Sequence, residues 1–401
     1  MICQKSKIDD WINHFKENYS NEPYFAEVVD LTEKDGVSKF YKLIEEVNEP
    51  NWIEDELTGV TYASMPLDPR TPIGVINYEL AFRRKELNKL EDFTLILDES
   101  SLIQNENAKR SKFVLNQLSP SNLILLSGTP TSGKYEKLWS QIHLLGWKIS
   151  KDLYWKQYVE VEYLENQGFP LKIVKGYKNV DRLKSKLKQY GAVFMKTEEV
   201  FELPEQLFQE VRINTTKEYR KFKKDRVVTV NERELVGDTV LTKMLYERML
   251  CGQYNSEKIK ALQDLLESTD DRVIIFYNFN EELRIIEDLC IELNKPISIV
   301  NGQEKDLSCY EEYDNAVTII QYQAGSMGLN LQKSNKIIYF TPTLSSELFE
   351  QSKKRTHRIG QQQTCFYYKL VCGNSIEERI YETLAMRKDY TDKLFIEDDG
   401  E

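Results

Sequence analysis

The chain has 401 residues, 41% hydrophobic and 30% charged, a balance that suits a soluble globular protein of two or three domains and argues against wholesale disorder. Its 54 Lys and Arg against 65 Asp and Glu leave a formal charge of −11, which argues against coating nucleic acid by bulk charge but leaves room for a local basic groove. No apolar run approaches the roughly 18 residues of a membrane helix; six Cys without a C-x-x-C pattern do not make a disulfide framework, and three scattered His (His14, His143, His357) speak against structural zinc.

Residues 7–19 read as an amphipathic helix with Ile8, Trp11, Ile12 and Phe15 on one face. Apolar strands follow at 73–78, at 94–97 ending in Asp98-Glu99, and at 122–126 ending in Ser127-Gly128-Thr129-Pro130. Residues of about 131–200 read as mainly helical, and Leu203-Pro204 marks a break. Beyond it, strands are expected at 272–277, 297–300, 317–321, 337–340 and 366–371. Strands alternating with helices predict α/β layers. The expected lobes are 1–205, including the helical insertion, and 206–401.

Four constellations carry chemistry. Leu95-Ile96-Leu97-Asp98-Glu99-Ser100-Ser101 delivers two acids at the carboxyl end of a strand. That placement suits an Asp holding Mg²⁺ and a Glu orienting water, and equally an acidic turn. Ser127-Gly128-Thr129-Pro130 offers hydroxyls and a Gly to a phosphate, or is a plain turn. Gln323-Ala324-Gly325-Ser326-Met327-Gly328 follows another strand with two Gly that permit close approach of backbone to phosphate. Gln351, Arg355 and Arg358 fall at i, i+4 and i+7, which predicts one helical face bearing two guanidinium groups suited to phosphate.

In this order the four motifs resemble the Swi/Snf-type branch of superfamily-two helicase-like ATPases, above all the compact versions carried by bacteriophages of Gram-positive bacteria. Asp98 to Ser101 stands at the DEAH-like box, Ser127 to Pro130 at the third motif, Phe276-Tyr277 at the fourth, Gly325 to Leu331 at the fifth and Gln351 to Gln361 at the sixth. The resemblance implies two RecA-like parallel-sheet lobes and a DNA-dependent ATPase in the bacterial host cytoplasm. It implies ATP and Mg²⁺ as cofactors, double-stranded DNA as partner, and no membrane. Asp98 would hold Mg²⁺, Glu99 would activate water, and Arg355 and Arg358 would stabilise the phosphoryl group. Gln351, Gly328, Ser127, Gly128 and Thr129 would line the nucleotide. Lys5, Ser6, Asn77, Tyr78, Gln323, Gly325 and Ser326 would contact DNA.

The resemblance also places residues 2–6 at motif Ia, so the first lobe is expected to be incomplete at its N-terminus, without the P-loop G-x-G-K-T. Gly128 to Lys134 fits G-x-x-x-x-G-K, but Tyr135 stands where a hydroxyl must reach Mg²⁺, and the match follows the acidic box instead of preceding it. A separately encoded P-loop fragment is one expected partner. A non-catalytic DNA- or partner-binding remnant of such an ATPase is the alternative function.

Overall fold

The computed structural model describes residues 1–20, 25–54, 61–64, 68–128, 130–131, 133–166, 169–194, 202–325 and 329–395. The chain divides into two compact units, Met1–Val193 and Phe194–Glu401. The sequence reading put that division near 205. Pro204 and Glu205 are tied into the second unit through their carbonyls: Pro204 O bonds His357 Nε2 at 2.8 Å, and Glu205 O accepts from Cys365 N at 2.8 Å.

The first unit contains β1 Ile2–Cys3, β2 Phe25–Asp30, β3 Asn51–Glu54, β4 Thr61–Ser64, β5 Arg70–Asn77, β6 Thr94–Leu97 and β7 Asn122–Leu125. Five of these form a wholly parallel sheet in the order β2-β5-β1-β6-β7, while β3 and β4 make a separate antiparallel hairpin. Ile2 lies at the centre, paired with Ile76 on one side and Leu97 on the other. The helix Ile8–Asn18 lays Ile8, Trp11, Ile12 and Phe15 on Cys3 and Val75. The helix Gly36–Val47 contributes Val37 and Phe40 to a core with Leu31, Ile76 and Leu97. Its first residue must be Gly, because a Cβ there would lie 2.1 Å from Asp30 O.

Residues 131–193 are less helical than their sequence suggests. Short helices at Trp139–Leu144, Lys151–Tyr158 and Val180–Gln189 are interrupted by an antiparallel hairpin, β8 Val159–Asn166 with β9 Phe169–Tyr177. Val159, Val161 and Tyr163 alternate with Glu160 and Glu162, a period of two that favours strand over helix.

The second unit has a six-stranded parallel sheet, β10-β17-β16-β13-β15-β14, built from β10 Gln206–Ile213, β13 Val273–Tyr277, β14 Ile297–Val300, β15 Val317–Gln321, β16 Lys336–Tyr339 and β17 Cys365–Cys372. A hairpin of β11 Val227–Val230 and β12 Arg233–Val236 stands apart from it. All five residues of β13 are buried, as an apolar run covered on both faces should be. Two RecA-like parallel α/β sheets are therefore present, and both present their polar motif loops beyond the carboxyl ends of their strands, where open α/β sheets bind ligands.

Candidate functional site

In the first unit, Asp98 and Glu99 follow directly on β6. The Asp98 backbone is pinned from two sides: its N–H donates to Ile2 O at 2.9 Å, and its carbonyl accepts from Tyr78 Oη at 2.9 Å. Its carboxylate Oδ2 accepts the indole N–H of Trp11 at 3.0 Å. The nearby Cys3 thiol is pushed up to about 12, first by burial and then by the charge of Asp98. Glu99 adopts the left-handed region at φ 50°, ψ 55°, which costs a non-glycine residue about 1–2 kcal/mol. Such strain persists where the surroundings impose it, often at functional turns.

The acidic loop is tied to the turn beyond β7. Ser100 N donates to Leu126 O at 2.8 Å, and the buried Ser100 hydroxyl donates to Gln141 Oε1 at 3.0 Å. Gln141 Nε2 in turn donates to Pro130 O at 2.7 Å, which also accepts from Gln104 Nε2 at 3.2 Å. Ser127 and Gly128 stand at the end of β7, the edge strand of the sheet; Thr129 lies outside the described residues. Gln141 and Trp11 as partners of the motif residues are not foreseeable from spacing, because both contacts are long-range in sequence.

The other sequence-derived positions divide. Lys5 and Ser6 are exposed in the short turn after β1. Asn77 and Tyr78, expected to face nucleic acid, are instead buried: Tyr78 is occupied by Asp98 O, and Asn77 Nδ2 donates to Glu79 at 3.0 Å. The P-loop-like run ends in Tyr135, which is 1% exposed and stacks on Tyr177 at 4.1 Å. It leads into a three-residue 3-10 turn and not the helix that a phosphate cradle requires.

In the second unit, Gln323 is exposed and Gly325 ends the short helix Tyr322–Gly325; Ser326 and Gly328 lie outside the described residues. Gln351 sits in the helix Ser346–Lys353. The expected single helical face does not extend to Arg355 and Arg358, because the helix stops at Lys353. The carbonyl of Lys353 accepts from Tyr367 Oη at 3.1 Å, from His357 N at 3.3 Å and from Thr356 Oγ1 at 3.5 Å. Both arginines fall in the turns that follow and meet one stretch of chain. Arg355 Nη1 donates to Leu329 O at 3.4 Å, and Arg358 Nη1 donates to Asn330 Oδ1. Leu331 N returns a bond to Arg355 O at 3.1 Å, and Gln361 Nε2 reaches Gln332 O at 3.1 Å and Ser334 O at 3.0 Å. The arginine turns and the end of the glycine loop therefore form one cluster.

For a divalent cation, Asp98 is a fitting donor: a hard carboxylate at a strand end, partly accessible, with Oδ1 not taken by the indole. The buried trio Cys251, Cys372 and Glu377 is not a comparable site. Lys258 Nζ lies 2.6 and 2.7 Å from the Glu377 oxygens and is already the cation there.

Fold and motif placement together define a helicase-like α/β protein. Residues 1–260 match the SNF2-related domain and residues 257–360 the helicase conserved C-terminal domain. The chain belongs to the SNF2-related family. It is 24% identical to the mouse SWI/SNF-related matrix-associated actin-dependent regulator of chromatin subfamily A member 1, over 96% of this chain and 37% of the relative. It is 26% identical to the yeast ISWI chromatin-remodeling complex ATPase ISW1, over 80% of this chain and 31% of the relative. With the zebrafish DNA repair and recombination protein RAD54-like it shares 24% identity, over 79% of this chain and 50% of the relative. The chain thus spans between 31% and 50% of the length of these relatives.

Proposed function

We propose that the chain is the core of an ATP-driven, duplex-DNA-translocating motor of the Swi/Snf type. The observation that supports this best is the pairwise fastening of the motif loops: acidic loop to S-G-T-P turn through Gln141, and both arginines to residues 329–330. A solvated acidic turn and a solvated basic turn need no such ties.

Asp98 would hold Mg²⁺, which when bound offsets triphosphate charge and orients its oxygens. Glu99, set by its left-handed turn, orients the attacking water and accepts its proton. Arg355 and Arg358 act on the charge that develops on the transferred phosphoryl, a service worth about 10³–10⁵ in rate in related chemistries. Gln351, Gly328, Ser127, Gly128 and Thr129 line the nucleotide. Lys5, Ser6, Gln323, Gly325 and Ser326 follow the DNA backbone, which positions the motor without reading sequence. The motif G-x-G-K-T does not occur in these 401 residues; an upstream or separately encoded P-loop segment would supply the cradle.

The test is phosphate release by this chain with and without duplex DNA, alone and with a polypeptide carrying strand, G-x-G-K-T and helix, using Glu99→Gln as the control. Hydrolysis that requires the added segment and DNA and disappears in Glu99→Gln is the expected result. No hydrolysis in either setting, with DNA binding intact, establishes the second reading, a non-catalytic DNA-binding remnant.

A further inference from the structure

The helix Lys217–Asp225 in the second unit belongs to none of the motifs. With Arg226 it carries Lys217, Arg220, Lys221, Lys223, Lys224 and Arg226 against only Glu218 and Asp225. Tyr219 and Phe222 are its buried positions. The opposite face is therefore a stripe of Lys217, Arg220, Lys221 and Lys224, spaced at i, i+3, i+4 and i+7, and all four are exposed.

Three observations set this stripe apart from an ordinary solvated face. First, the chain as a whole has an excess of acid, −11, and cations elsewhere are commonly paired, as in Lys39–Asp35, Lys243–Glu247 and Arg272–Asp314. Among the described residues no ion pair engages Lys217, Arg220, Lys221, Lys224 or Arg226, although the following turn offers Glu232 and β12 offers Glu234. Like charges one turn apart destabilise a helix, and among the described residues no ion pair on the stripe offsets that repulsion.

Second, the helix dipole accounts for cations in the last turn, Lys223 and Lys224, but not for Lys217 in the first. Third, the helix is rigidly mounted. Thr216 Oγ1 caps Tyr219 N at 3.1 Å, Tyr219 Oη accepts from Ile376 N at 2.9 Å, and Lys223 Nζ donates to Asn374 O at 3.1 Å. The four charges are held in a line about 10 Å long.

We propose that this stripe is a phosphate-binding face for a nucleic-acid backbone, a contact surface additional to the motif residues. A duplex presents about one charge per 1.7 Å of its axis, so a rigid line of cations meets several phosphates at once and releases their counterions. An anionic lipid surface fits less well, since membrane-surface helices bury their apolar face in lipid and Tyr219 and Phe222 are already used in the protein core. The proposal rests on the DNA-binding part of the function given above.

The experiment measures binding of the full chain to a mixed-sequence duplex by fluorescence anisotropy, from about 50 to 200 mM salt, for wild type and Lys221→Ala/Lys224→Ala. Each lost phosphate contact flattens the slope of log K against log salt by about 0.9, so the double variant should be shallower by about 1.8. Over that salt range each contact changes the affinity loss by roughly 3.5-fold. Circular dichroism checks that the helix content is unchanged. Wild-type binding with an unaltered slope in the variant overturns the stripe alone. Absence of salt-dependent binding to any nucleic acid by wild type overturns the stripe and the DNA reading together. Loss in the variant of binding to phosphatidylserine vesicles, with the DNA slope unmoved, assigns the stripe to lipid and overturns the proposal.

Discussion

The ion pair of Lys258 and Glu377 ties the helix Ser256–Glu267 to the start of the helix Ile376–Phe395, and both side chains are fully buried. Lys258→Met removes the ammonium from contacts of 2.6 and 2.7 Å and leaves Glu377 with the Cys372 N–H at 2.9 Å as its remaining close donor. A buried carboxylate without its counter-charge costs about 3–5 kcal/mol, a large share of the roughly 5–15 kcal/mol that holds a domain folded. Lys258→Met/Glu377→Leu removes both charges and should return close to wild type, because the pair's attraction largely offsets its own desolvation. Urea unfolding of wild type, both single variants and the double variant closes the cycle, read as midpoint shifts at constant m. The reasoning is refuted if Lys258→Met costs less than about 1 kcal/mol, or if the two single effects simply add. The pH dependence has a definite sign. Burial pulls the Lys258 pKa down, but Glu377 and the neighbouring thiols outweigh it, so the folded value lies above the unfolded 10.5. The contribution of the Lys258 charge is therefore complete below 10.5 and is lost as pH rises through the folded value, so the gap between wild type and Lys258→Met should shrink in strong alkali.

Gln141→Leu strands the buried Ser100 hydroxyl and removes one of two donors from Pro130 O; it should lower stability by about 1–3 kcal/mol in urea and lower DNA-stimulated kcat more than it changes KM for ATP. A kcat that survives while stability falls would confine Gln141 to a structural part. In a preparation complemented for hydrolysis, Arg355→Ala should reduce kcat by about 10³ or more, and a loss below tenfold would remove Arg355 from the phosphoryl site. Gly36→Ala drives a Cβ to 2.1 Å from Asp30 O and should cost about 1–3 kcal/mol through displacement of its helix; an unchanged urea midpoint would mean that the turn relaxes freely.

Much of the scaffold is legible because its central strands are largely apolar: Val273–Tyr277 and residues 317–320 are buried on both faces and need no context. The hairpins are harder. β8 and β9 form in a stretch rich in Lys and aromatic residues, where composition suggests helix and only the alternation from Val159 to Tyr163 speaks for strand. β1 is two residues long and leaves no periodic trace, though it occupies the middle of its sheet. At the candidate site the motif residues stand out in the sequence by type and order, but their backbone settings do not. The helix carrying Gln351 ends at Lys353, where Tyr367, from a strand 14 residues on, shares that carbonyl with His357 N. Tyr78, expected at nucleic acid, is buried, and an aromatic after a strand gives no sign that Asp98 O will claim its hydroxyl.

A common physical pattern underlies these misses. The residues that a motif records are those that meet a ligand, whereas the residues that hold them are amides and hydroxyls bridging two stretches of backbone far apart in sequence. Gln141 donates to Pro130 O and accepts from Ser100, and Gln361 spans Gln332 and Ser334. A buried amide satisfied at both ends cannot follow one loop without abandoning the other, and an unsatisfied polar group in the interior is costly. Separating the acidic loop from the turn beyond β7 would therefore break at least one of these bonds. On the function proposed above, that constraint would pass a displacement of Ser127, Gly128 or Pro130 to Ser100 and the acids beside it.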